Sequence, residues 1–220
     1  MGSEKPGAGA ESWQEVWERK GAAEEYASSY EPETLIKLDG FDVGLGSLGE
    51  EGVRGIAETA QRELELRPGM RLLEVGCGSG ALLWYLRDLD LELFGVDFSS
   101  TLIEHARRAI PEGTFAVAEA SDLPFEADAV LCNGVFHYFP DHAYAGRVLE
   151  AFRRAAPVAL VMDVPDVETR EQSEAARRDG GSKPGTHLYY PRAFFGDART
   201  WTNDLPGYGN APFRFNVLLK

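Results

Sequence analysis

From Met70 onward, short apolar runs alternate with stretches whose apolar residues recur every three or four positions. The short runs predict strands at Arg71–Val75, Glu92–Val96, Thr114–Ala118, Ala127–Cys132 and Val158–Met162. The helical spacing predicts helices over about Ala81–Leu89, Ser100–Ile110 and Tyr144–Ala155, between most of those strands. Alternation of this kind predicts an α/β domain, a parallel sheet covered on both faces by helices. A polar helix-like segment, Asp166–Arg178, and a glycine-rich break, Gly180–Gly185, follow. Two more candidate strands, Arg199–Asn203 and Phe213–Leu219, come last.

Before Met70 the pattern differs. Ser12 with Glu15 three residues later has the form of a capping box, opening an ordered element that runs to about Tyr30. Trp13 and Trp17 share a face of that helix, with Tyr26 extending the aromatic content. Such a helix either glues its indoles to the domain surface or forms a lid over a ligand. Leu35–Gly52 reads as irregular and glycine-rich; Asp39 and Asp42 there suit solvated turns or ligand contact, and the pattern does not choose. Helical spacing resumes over Glu51–Leu66 and stops before Pro68-Gly69. The expected layout is a disordered leader over 1–11, an N-terminal helical cap over 12–66 and a ligand-binding core over 67–220.

The length suits one domain, and the net charge of −14 argues against broad binding to nucleic acid or anionic membrane. No apolar run reaches the ~18 residues of a membrane span. Cys77 and Cys132 make no disulfide framework, which favours a reducing compartment and a cytoplasmic location.

The chemistry centres on Leu72–Ala81, where a buried strand breaks into Gly76, Gly78 and Gly80 before a helix. Glycines there let a ligand approach the backbone, and the first turn of the helix offers N–H groups. Asp97 ends the second strand 21 residues after Gly76, where a carboxylate can accept from both hydroxyls of a ribose. That spacing alone fits a nicotinamide dinucleotide as well as S-adenosylmethionine. Glu74, at the end of the first strand, suits a cationic methionine end better than a pyrophosphate. Glu119 and Ala120 follow the third strand, and Asn133, Gly134, His137 and Tyr138 follow the fourth.

With these motifs in order, the sequence resembles the class I S-adenosylmethionine-dependent methyltransferases from about Arg71 to Asp163. The resemblance implies a Rossmann-like seven-stranded sheet, parallel except for the last strand, with S-adenosylmethionine as methyl donor. It implies that Gly76, Cys77, Gly78 and Gly80 line the methionine part, that Asp97 holds the ribose, and that Phe98 flanks the adenine. It implies further that Glu119 and Ala120 border the adenine amine and that Asn133 and Gly134 face the methionine amine.

His137 is the candidate base or orienting group, and Tyr138 is the candidate for positioning an acceptor. His105, His142 and His187 read as surface or turn residues. Gly134-Val135 stands where enzymes of nucleobase amines carry two prolines, and Asn133 leaves any acidic metal set incomplete. The expectation is a small-molecule acceptor, no metal, and a pocket drawing on Trp13, Trp17, Tyr26, Tyr189 and Tyr190. The competing readings are a binding protein without turnover and a nicotinamide oxidoreductase.

Overall fold

A computed structural model describes residues 12–23, 30–41, 44–180 and 187–220. The leader 1–11, Tyr26, Asp42 and most of the glycine-rich break lie outside the described residues. Three helices come first, α1 (Trp13–Gly21), α2 (Pro32–Leu38) and α3 (Glu50–Glu63). The core then runs β1 (Arg71–Val75), α4 (Ala81–Leu86), β2 (Glu92–Asp97), α5 (Ser100–Ala109), β3 (Thr114–Val117) and β4 (Ala129–Asn133). It continues through α6 (His142–Ala155), β5 (Ala159–Pro165), α7 (Arg170–Asp179), β6 (Arg199–Thr202) and β7 (Arg214–Leu219).

The seven strands form one sheet in the order β3-β2-β1-β4-β5-β7-β6. β1 to β5 are mutually parallel, and β7 is antiparallel to both β5 and β6, so β7 alone runs against the rest. Strand order reverses between β1 and β4, the kind of switch point at which ligands bind in open α/β sheets. Neighbouring residues of β1 serve opposite faces. Leu72 packs with Val53 and Ile56 of α3 and Leu83 of α4. Leu73 packs with Val148 and Phe152 of α6. Burial of each such side chain contributes about 1.5–3 kcal/mol, which is why these strands read as unbroken apolar runs.

Two expectations need correction. The stretch read as irregular from Leu35 contains α2, whose Leu35, Ile36 and Leu38 are buried; Pro32 in its first turn is the start signal. β5 runs past Met162 to Pro165 because β7 keeps pairing with it beyond a register shift between Val161 and Val164. At that shift Asp163 adopts φ +62, and its N–H donates to Asn216 Oδ1 at 3.1 Å. The capping box of α1 is present: Ser12 N–H donates to Glu15 Oε2 at 2.7 Å, and Glu15 N–H returns to Ser12 Oγ at 3.2 Å. Cys77 and Cys132 are free and buried. Among the described residues no helix is long and apolar enough to cross a membrane.

Candidate active site

The site grows from the turn between β1 and α4. Gly76 (φ +74), Gly78 (φ +53) and Gly80 (φ +90) all take the left-handed conformation that side chains disfavour. Gly76 and Cys77 both donate their N–H groups to the Val96 carbonyl, at 2.8 and 3.0 Å, which ties the turn to β2. A Cβ on Gly76 would strike Val135, and one on Gly78 would strike the Asp39 carboxylate.

Asp39 is the residue that sequence reasoning left undecided. It stands at the C-cap of α2, and the fold carries its carboxylate onto the start of α4. Ser79 N–H donates to Oδ1 at 2.6 Å and Ala81 N–H to Oδ2 at 3.0 Å. Two of the N–H groups expected to be free for a ligand are therefore occupied by the Asp39 carboxyl group.

Glu74 and Asp97 add to that charge. Glu74 is 3% exposed, and its Oε2 has no hydrogen-bond partner. Burial pushes it well above the usual carboxylate range, with Asp39 and Asp97 adding repulsion. Asp97 accepts from Gly78 N–H at 3.1 Å and Ser99 N–H at 2.8 Å, yet burial still lifts it to about 6. Burial likewise lifts Asp39 to about 7 against those two hydrogen bonds. Cys77 is held as a thiol by its burial and by the same carboxylates. An uncompensated acidic pocket of this kind favours a cation. Among the described residues no group of His, Cys, Asp or Glu is arranged to hold a metal ion.

Asn133 ends β4 next to β1, and Gly134 turns away at φ +68 with its N–H donated to the Met162 carbonyl at 3.1 Å. Phe98 is partly exposed beside Asp97. Glu119 is exposed and accepts the Tyr144 hydroxyl at 2.6 Å, and Ala120 is half-buried.

α1 docks on α5 beside these groups. Glu18 accepts from the N–H groups of Ser100 (2.8 Å) and Thr101 (3.3 Å), supplementing the Ser99 cap. His105, expected on a surface, is buried because α1 covers it, with Nε2 2.9 Å from the Gly21 carbonyl oxygen. The docking carries the indoles inward: Trp13 lies 4.6 Å and Trp17 5.8 Å from Tyr138, centroid to centroid.

His137 packs on Tyr138 at 3.9 Å and on His187 at 4.5 Å, so His187 belongs to this wall. Arg177 donates to His187 Nδ1 at 2.6 Å. Burial, then Arg177 and Arg214, push His187 down to about 3. Burial and its cationic neighbours hold His137 well below the usual range, and burial lifts Tyr138 to about 12. Tyr189 and Tyr190 are both buried, with their hydroxyls against protein partners. Tyr190 is fully buried against Phe136 and Phe195 and donates to the Phe136 carbonyl at 2.8 Å, supporting the turn from beneath. Tyr189 is buried with its hydroxyl 3.4 Å from Ser173 Oγ. A cavity of about 450 Å³ bounded by Phe152, Ala159 and Leu219 lies at the opposite end of the sheet. That is the wrong end for the crevice of an open α/β sheet.

Comparison with known proteins bears on the same region. Residues 72–157 match the methyltransferase domain family. The chain is 30% identical over 58% of its length to an indolepyruvate C-methyltransferase of Streptomyces griseus, covering 43% of that protein. It is 34% identical over 43% of its length to a trans-aconitate 2-methyltransferase of Methylobacterium radiotolerans, covering 37% of it. The matched region thus spans less than half of either relative. In fold it is similar to magnesium protoporphyrin IX methyltransferase of Synechocystis, solved with bound S-adenosylmethionine. The TM-score is 0.55 at 16% identity, over 87% of this chain and 97% of that one. Residues 72–157 therefore carry a match to a methyltransferase domain, set in a seven-stranded sheet whose fold is similar to that of S-adenosylmethionine-dependent methyltransferases.

Proposed function

We propose that this chain transfers a methyl group from S-adenosylmethionine to a small-molecule acceptor by direct displacement. The observation that carries this reading is the convergence of Asp39, Glu74 and Asp97 on the glycine turn. A dinucleotide would lay its pyrophosphate on the first N–H groups of α4, where the Asp39 carboxylate already sits, so the nicotinamide reading is disfavoured. A ligand with a sulfonium and an ammonium meets complementary charge there. The orphaned Glu74 oxygen, and a turn in which a side chain on Gly76 or Gly78 would clash, fit such a ligand.

When bound, S-adenosylmethionine supplies a methyl group on a good leaving group. The protein's part is to align the acceptor and exclude water. Asp97 is assigned to the ribose hydroxyls, since each of its oxygens keeps a lone pair after accepting one N–H. Glu74 and Asp39 supply negative charge, with Gly76, Cys77, Gly78 and Gly80 giving close approach. Asn133, Gly134, Phe98, Glu119 and Ala120 keep the places that the family resemblance gives them. Trp13, Trp17, Tyr138 and His137 form the acceptor wall. With His137 held well below neutrality and Tyr138 at about 12, both are neutral at physiological pH. Their proposed role is hydrogen bonding and orientation rather than proton abstraction. Small acceptors in the names of both curated relatives, indolepyruvate and trans-aconitate, agree with a pocket of this kind.

Calorimetry with S-adenosylmethionine tests the donor: saturable binding is expected, strongly weakened in Gly78→Asp and Asp97→Ala. Absence of binding by the intact protein overturns the reading. Labelled-methyl transfer into a metabolite pool separates an enzyme from a silent binder.

A further inference from the structure

Beyond the aromatic wall lies a cationic centre that the donor site does not use. Arg214 opens β7 opposite Pro165, and antiparallel β7 brings it to the sheet edge at which the parallel strands end. Its side chain is 3% exposed, yet Nε and Nη1 have no hydrogen-bond partner. Asp163 forms a long ion pair with it, Oδ1 3.8 Å from Arg214 Nε and beyond hydrogen-bond distance, while Oδ2 accepts the Tyr208 hydroxyl at 2.9 Å. The backbone holds that separation, since Asp163 sits in the strand irregularity with its N–H on Asn216. Arg177 presents a second charge from the far side of His187. Arg177 touches His187, which packs on His137 and Tyr138, and β5, whose end pairs with Arg214, packs on the Phe136–Tyr138 turn, which sets the centre against the acceptor wall.

A buried guanidinium with idle donors is costly unless something else supplies acceptors. Carboxylate oxygens accept strongly from guanidinium N–H groups. The charge count points the same way. Two arginines face one carboxylate, Asp163, so the centre carries an excess of positive charge that suits an anion.

We infer that the methyl acceptor is a small molecule bearing a carboxylate, and that Arg214 receives that carboxylate beside Tyr138 and His137. This rests on the methyl-transfer reading and names the substrate class of the same site. The chain as a whole is acidic, so the basic centre is local and selects for the anion only at the wall.

The test uses protein saturated with S-adenosylhomocysteine, so that a dead-end complex forms without turnover. Calorimetric titrations compare phenylacetate with phenylacetamide and indole-3-acetate with indole-3-acetamide, with phenyl phosphate as a third anion. At least one acid is expected to bind roughly tenfold or more tightly than its amide. Arg214→Gln should erase that preference while S-adenosylhomocysteine affinity stays within about threefold. Arg214→Lys, which keeps the charge, should recover part of it. Equal binding of acid and amide, binding of phenyl phosphate alone, or loaded protein that binds none of the acids overturns the inference. Failure to bind S-adenosylhomocysteine overturns the donor reading instead.

Discussion

Binding of S-adenosylmethionine at the glycine turn is expected to release protons and to strengthen as pH rises. In the free protein, burial holds Asp39 up to about 7 and Asp97 up to about 6. A bound cation favours their ionised forms and draws those protons off. Between about pH 6 and pH 7 the free protein therefore carries more protons than the complex, so affinity climbs with pH. A group titrating at about 7 goes from about one-tenth to about one-half ionised over that window, worth about fivefold in affinity. A group titrating at about 6 adds about twofold, for about tenfold together. Glu74, raised by burial and by both neighbours, has the same sign and adds to the slope. The amine of the ligand, titrating near about 8, stays charged across the window. Calorimetry in two buffers of different ionisation enthalpy counts the protons released. Asp39→Asn removes its share of about fivefold and should leave the share of about twofold from Asp97 with what Glu74 adds. An affinity that is flat from about pH 6 to pH 7, with no proton release by the wild-type protein, would refute this reasoning.

Gly78→Ala drives a Cβ into the Asp39 carboxylate at a backbone φ of +53, so a stability loss of about 1–3 kcal/mol is expected in denaturant melts, with weakened S-adenosylmethionine binding. Glu18→Ala frees the Ser100 and Thr101 N–H groups and should cost about 1 kcal/mol; hydrogen exchange should quicken in α1 while β1 stays protected. Tyr190→Phe leaves the Phe136 carbonyl with only the long 3.4 Å bond from Phe139 N–H and should cost about 1 kcal/mol with S-adenosylmethionine affinity unchanged, whereas a loss of affinity at full stability would put Tyr190 in the site instead.

The sheet was legible because its strands are covered on both faces, so Leu72-Leu73 and Val130-Leu131 read as strands without any partner being known. Asp97 was legible for a related reason. β2 lies beside β1 with Val75 opposite Val96, so spacing along the chain translates into closeness at the turn. Asp39 and Arg214 carried no such signal. Asp39 reaches Ser79 from a helix forty residues earlier, through packing of α2 on α3 and α4. Arg214 lies at the start of a strand inserted between β5 and β6, where a charged residue at a strand end usually means solvent. The burial of His105 and Tyr190 was not legible, for one shared reason. Their local patterns say nothing of α1 covering α5, or of the aromatic cluster around Phe136.

The arrangement of charge also bears on how donor and acceptor meet. Asp39, Glu74 and Asp97 gather at β1 and β2, while Arg214 and Arg177 gather beyond β5, and β4 lies between β1 and β5. Asn133 ends β4 and the segment after it carries His137 and Tyr138, the last stacked on Trp13, so the middle of the cleft is walled by uncharged groups. A cationic donor and an anionic acceptor would each be drawn to the wall of opposite sign and come together across this neutral strip. Once the donor has drawn off their protons, charges so placed need no reorganisation as the methyl group moves, and they act more strongly where aromatic side chains keep water out. A carboxylate acceptor also arrives already ionised. Where that carboxylate is itself the group methylated, His137 can remain neutral among its cationic neighbours and still serve the reaction by position alone.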